Sequence, residues 1–168
     1  MDFTDVEGRP TLEQPSAVHD TFVLEREYPK APERVFAAFA DPAKKRRWSA
    51  EGPAHTIESF ELDFRVGGSE SLRYRFNEGT PFAGAVIDNR ATFQDIVANR
   101  RIVLAQTMDF GPARISATLV TIELLKTQKG TKLICTHHGA YFEGADGPDI
   151  RKQGWLALFE RLVAELER

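Results

Sequence analysis

Glu70 and His137 are the two residues whose side chains suit proton transfer. A carboxylate and an imidazole held in one cavity would form a general acid/base pair. Glu70, Leu72, Tyr74 and Phe76 alternate with Ser71, Arg73 and Arg75. In a strand the apolar set, and Glu70 with it, turns inward. By the same count Leu133, Cys135 and His137 share one face, and His138 takes the other. Adjacent His137 and His138 therefore cannot share a metal ion. A structural ion pair at Glu70 and a satisfied core histidine explain the same pattern, so the pairing is one reading of two.

Other residues suit binding rather than chemistry. Asn89 shares parity with Ile87, Ala91 and Phe93, and Gln106 with Ile102, Leu104 and Met108. A polar group in an inward apolar row either hydrogen-bonds a ligand or marks a bulge. Trp155 tops a helical stripe, where core is the usual role, with contact to a cavity as the alternative. The expected ligand-binding set is Glu70, Tyr74, Asn89 and Phe93, with Gln106, His137 and Trp155. Cys135 has no visible base or cation beside it and reads as an inert buried thiol. Arg114 sits after Gly111-Pro112 and is placed to pair with Asp109. Lys44-Lys45-Arg46-Arg47 is the dense basic run. It reads as a solvated helix face, with an acidic partner protein as the alternative. Gly67-Gly68 lacks a phosphate-loop pattern and reads as a turn needing positive φ.

These residues need a scaffold. His19–Tyr28 alternates like a strand and ends at Pro29. Pro32 opens a short helix and Asp41-Pro42 caps a second that runs through Trp48. Strand patterns follow over 56–66, 70–76, 82–97, 101–109, 114–126 and 131–142, separated by turn residues. Short connections imply antiparallel pairing. The last segment changes period. Trp155, Leu158, Phe159, Leu162 and Leu166 recur at helical spacing, and Leu156 and Val163 widen the stripe. This predicts an α+β fold, a curved antiparallel sheet wrapped on one long helix.

The chain has 168 residues, net charge −3, 42% hydrophobic residues and one cysteine. That is one domain, with no disulfide and no cysteine-rich metal site. It has no cofactor motif, no pull toward nucleic acid and no membrane span. Residues 1–18 are expected to form a mobile arm and 19–168 the single domain. The acidic N-terminus is unlike a signal peptide, so a cytoplasmic location is expected.

The order of elements resembles the SRPBCC (START-like, Bet v 1-like) superfamily, in its bacterial branch of activator of Hsp90 ATPase homologues. The carrying segments are Tyr28-Pro29-Lys30-Ala31-Pro32-Glu33-Arg34-Val35-Phe36, Asp41-Pro42 with Trp48, and Phe64-Arg65-Val66-Gly67-Gly68. Phe93–Val97 with Arg101–Val103, Gly130–Leu133, and Gly154-Trp155 with Leu158 complete the set. The resemblance implies a helix-grip fold: seven antiparallel strands around a C-terminal helix, with two small helices between the first two strands. It implies a small hydrophobic, aromatic or lipid-like ligand between sheet and helix. An enzyme of the cyclase, dehydratase or hydrolase type in the same cavity is the second expectation. A co-chaperone-like interaction module is the third. A homodimer is the oligomeric expectation.

Overall fold

The computed structural model describes residues 15–168. Most of the expected arm lies outside these residues, and Val18 already belongs to the first strand. The elements run β1 (Val18–Tyr28), α1 (Pro32–Ala40), α2 (Pro42–Lys45), a π turn over Arg46–Ala50, then β2 (His55–Leu62) and β3 (Ser69–Phe76). They continue as β4 (Val86–Val97), β5 (Arg101–Phe110), β6 (Ala113–Thr127), β7 (Gly130–Tyr141) and α3 (Pro148–Leu166).

One seven-stranded sheet has the order β1-β7-β6-β5-β4-β3-β2, antiparallel at every pair. This is the helix-grip α+β fold. β2 to β7 follow each other as neighbours because their links are too short for parallel crossovers. β1 closes the far edge on β7, Val18 opposite Tyr141 and Tyr28 opposite Thr131.

The helix starts follow capping rules. Asp41 accepts a hydrogen bond from the Lys44 amide at 3.0 Å, and Pro42 occupies the first helical turn, where no N–H is needed. The helix then widens into the π turn that carries Trp48, whose Nε1 donates to the Ala38 carbonyl at 2.8 Å. Gly147, at φ 84°, turns the chain into Pro148 and α3.

Inward rows from β1, β5, β6 and β7 meet α1 and the C-terminal half of α3. Val35, Val120, Leu133, Cys135, Phe159 and Leu162 are fully enclosed there. Val163 is 43% exposed and does not widen the stripe. The buried face of α3 is instead completed by Arg151 and Glu165. Two strand limits also differ from expectation. β2 stops at Leu62, because Asp63–Gly68 turns the chain. β4 starts at Val86, because Pro81 and Gly84 (φ 81°) sit in a loop closed by the bonds Gly84 N–Phe76 O and Phe76 N–Ala85 O.

Gly67 and Gly68 are both required, for different reasons. Gly67 has φ 80°, the conformation the sequence suggested. Gly68 lacks space: a Cβ there would stand 2.1 Å from the Asp63 carbonyl oxygen. The turn hydrogen-bonds β4 through Gly67 N–Phe93 O and Phe93 N–Gly68 O. Left-handed strain in Gly67→Ala is expected to cost about 1–2 kcal/mol. Gly68→Ala is expected to cost more, because backbone must move. Urea unfolding of both variants checks this; a Gly68→Ala midpoint equal to or above that of Gly67→Ala would contradict it.

Candidate functional site

The inner face of β3, β4 and β5 is not fully covered. The backbone of α3 comes nearest to β1, α1 and the π turn. Under its N-terminal half lies a cavity of about 80 Å³. Leu72, Ala91, Leu104, Leu158 and Trp155 form its apolar wall; Asn89 and Gln106 are polar points on it. Lys45, Trp48, Ser49 and Glu70 close one end.

That end is built around a buried cation. Lys45 is 6% exposed. Its Nζ stands 3.4 Å from Glu70 Oε2 and lies over the rings of Phe39 and Trp48, 5.0 and 4.8 Å from their centroids. Carboxylate and ring faces together offset the desolvation of the ammonium. Two residues on, Arg47 grips Glu165 of α3 through two bonds of 2.9 and 2.6 Å. The basic run is therefore not a solvated face: two of its four side chains are used internally. Sequence reading missed Lys45, although it lies three residues before inward-facing Trp48 and so on the same side of the turn.

The other side of the cavity meets a second polar group. Trp155 lies with its ring centroid 6.2 Å from that of His137, which stacks flat on Phe22 at 4.4 Å. Tyr141 follows at 6.4 Å. Its ring folds back over Gly139, where a Cβ would stand 2.6 Å from it. Arg151 lies over Tyr141, 5.3 Å from the ring. Its guanidinium binds both oxygens of Asp146 (2.8 and 2.7 Å), the Ser116 hydroxyl (3.1 Å) and Met108 Sδ (3.4 Å). Arg151 and Tyr141 were also overlooked, yet Arg151 precedes Trp155 by four residues on one stripe, and Tyr141 continues the Cys135, His137 row.

Of the expected binding residues, Glu70, Asn89, Gln106 and Trp155 stand together on the cavity. His137 reaches it only through Trp155. Tyr74 lies to one side, tilted on His55 at 4.2 Å and edge-on to Phe76. Phe93 is core, edge-on to Phe64 at 5.1 Å. The Glu70–His137 acid/base pair is not formed. Glu70 is committed to Lys45, and β4, β5 and β6 separate the two strands. His138 lies on the outer face, its Nδ1 2.8 Å from Thr21 Oγ1. Arg114 pairs with Asp109 as its position suggested.

Burial decides the protonation states. Desolvation pushes the Cys135 thiol up to about 12, leaving no nucleophilic thiolate at neutral pH. Desolvation first, and Arg151 next, push His137 down to about 4, so the ring is neutral. The unfolded chain binds a proton at about 6.5 that native His137 refuses. Stability is thus expected to fall as pH drops through 6.5 toward 4, by on the order of 3 kcal/mol in total. His137→Phe should flatten that slope most clearly between pH 6.5 and 5, above the main carboxylate range. Parallel curves for the variant and the parent would contradict the assignment.

Residues 30–167 match the family model described as activator of Hsp90 ATPase homolog 1-like protein. A solved protein from Rhizobium loti is 44% identical, over 90% of this chain and 99% of its own, with a TM-score of 0.79. An uncharacterised protein from Rhizobium leguminosarum is 34% identical, over 91% and 97%, with a TM-score of 0.84. A protein from Aeromonas hydrophila with the same family description shares the fold at 21% identity, covering 88% and 92%, with a TM-score of 0.66. No curated protein matches the chain.

Proposed function

The chain belongs to the activator of Hsp90 ATPase homologue 1-like family, and from that premise we propose that it binds a small aromatic molecule between α3 and strands β3–β5. The family supports a ligand-binding domain in general terms. The observation that carries the finer reading is the cavity itself, an apolar wall with Asn89 and Gln106 set into it. That is the usual make-up of a ligand pocket.

Size selects among ligands. About 80 Å³ is about half of a cavity known to hold benzene, ~150 Å³. A single ring needs the space to about double; an acyl chain needs far more. Trp155 is the group placed to give way, since it is half-buried on the part of α3 that overhangs the cavity. An aromatic ligand is therefore favoured over a lipid. The enzyme reading has less support. Glu70 is held by Lys45, and the Ser49 hydroxyl on the cavity donates to the Lys45 carbonyl at 2.7 Å with no base beside it. A co-chaperone role has the family description behind it but no specific observation on this chain. None of the helices among the described residues is long and apolar enough to cross a membrane; we place the protein in the cytoplasm.

Ala91 lines the cavity and is enclosed. Ala91→Leu would fill the space at an overpacking cost of about 1–3 kcal/mol or less. Titration with p-cresol, followed by the Trp155 indole N–H in two-dimensional NMR, is expected to shift that signal in the parent. The variant, still folded, is expected to bind at least tenfold more weakly. Unchanged affinity in folded Ala91→Leu would place the ligand elsewhere.

A further inference from the structure

The sheet is open, so it ends in two edge strands, β1 and β2. An edge presents a row of unpaired N–H and C=O groups, and proteins shorten, bulge, charge or cover it to keep other strands away. β2 follows that rule: it has eight residues, with a register break between Ile57 and Ser59. β1 runs for eleven residues, holds no proline and pairs with β7 without a break. Val18 and Val23 on it are 59% and 52% exposed. Among the described residues, no backbone bond reaches its free side. A side chain covers one point of that side, where Arg26 Nη1 donates to the Glu25 carbonyl at 3.2 Å. What remains to protect β1 is charge, and its charges are ordered in a particular way.

Two antiparallel copies of β1, related by a two-fold axis, keep their inner faces on the same side. Residues of equal parity then stand opposite each other. Centred on Val23, Asp20 faces Arg26, His19 faces Glu27, Thr21 faces Glu25, Phe22 faces Leu24 and Val23 faces itself. Symmetry makes each unlike pair occur twice. Centring on Phe22 sets Asp20 against Leu24 and Val18 against Arg26; centring on Leu24 sets Arg26 against Phe22 and Asp20 against Tyr28. Both neighbouring registers put each of these charges against an apolar or aromatic side chain. Arg26 is also weakly engaged as it stands. Its Nη2 is 3.5 Å from Glu160, a side chain 67% exposed, and its Nε has no acceptor.

We infer that β1 is a self-association edge: two copies of this chain pair antiparallel along Val18–Tyr28, centred on Val23, and join their sheets into one. Main-chain bonds supply the attraction, and the Asp20–Arg26 pairs set the register. Arg26 leaves the Glu25 carbonyl for the Asp20 carboxylate of the second copy, and an amide of the second copy takes its place on that carbonyl. A second copy fits this edge better than a foreign strand, because Asp20 and Arg26 lie three residues to either side of Val23 and so complement each other only across a two-fold axis. The pairing is isologous and closes on itself. It leaves a bulged β2 at each end of the joined sheet, where further strands are discouraged. The edge is separate from the cavity under Trp155, so this inference does not depend on the ligand-binding reading.

Charge reversal tests it. The full chain is studied by sedimentation equilibrium over a concentration series, alongside Asp20→Arg, Arg26→Asp, Val23→Lys and an equimolar mixture of the first two. Circular dichroism confirms that each variant is folded. The parent is expected to dimerise. Asp20→Arg and Arg26→Asp each turn two unlike pairs into two like pairs, and each is expected to weaken association by about tenfold or more. The mixture is expected to recover parent-like association, because each chain of one variant meets its complement in the other. Val23→Lys changes an exposed residue and sets two ammonium groups together at the axis, so it is expected to weaken the dimer while sparing the fold. With Asp20→Arg it decides the matter even where Arg26→Asp does not fold. A parent that stays monomeric at every concentration would overturn the inference. So would a parent dimer that folded Asp20→Arg and Val23→Lys leave intact, or a mixture of folded variants that associates no better than either alone.

Discussion

The interior depends on a lysine that is almost wholly withdrawn from solvent. Lys45 is held by one carboxylate and two aromatic faces, and these come from three parts of the chain: α1 through Phe39, the π turn through Trp48 and β3 through Glu70. Removing one member of such a set leaves an uncompensated buried charge, a change that typically costs about 3–5 kcal/mol for fully buried pairs. Glu70 retains some solvent contact, so the cost here is at the lower end of that range. Arg47 adds a second clamp, from the same turn to Glu165 of α3. The two clamps tie the small helices to the sheet on one side and to the long helix on the other. They set where the cavity ends.

The same geometry explains why a cavity is left. α3 buries Phe159, Leu162 and Leu166 completely, while Trp155 and Leu158 nearer its start are only half-covered. The helix is seated at its C-terminal half by β1, α1 and the π turn, and overhangs β3–β5 at its N-terminal half. Arg151 holds that free half in place by bonding Asp146 before the helix and Ser116 on β6. Arg151 and Asp146 thus satisfy each other and hold the helix, while Asn89 and Gln106 are the polar points on the cavity wall.

Much of this was legible before any coordinates. Period-two alternation placed Glu70, Asn89, Gln106 and His137 on the inner face, because a strand side chain has only two directions. Helical spacing from Trp155 to Leu166 identified the gripping helix, and Gly67 was rightly read as a positive-φ turn. Charge misled the reading. Lys45 and Arg47 looked like solvent-facing residues because composition weighs a basic run as a unit. Burial is decided one side chain at a time by partners distant in the chain, Glu70 and Glu165. Parity also could not say how far apart two inward residues lie. Glu70 and His137 share a face, but three strands stand between them. Phe93 shares parity with Asn89 yet is core, because Phe64 in the preceding turn covers it.

The central claim is that the space under Trp155 is a binding site and not a packing defect. A crystal structure of the full chain grown with saturating p-cresol tests it most directly. The account predicts density for one ring between Trp155 and the β4–β5 wall, with an oxygen within hydrogen-bond reach of Asn89 Oδ1 and the Trp155 indole displaced. An unchanged cavity with the ring absent, or bound only on the outer surface, would contradict it.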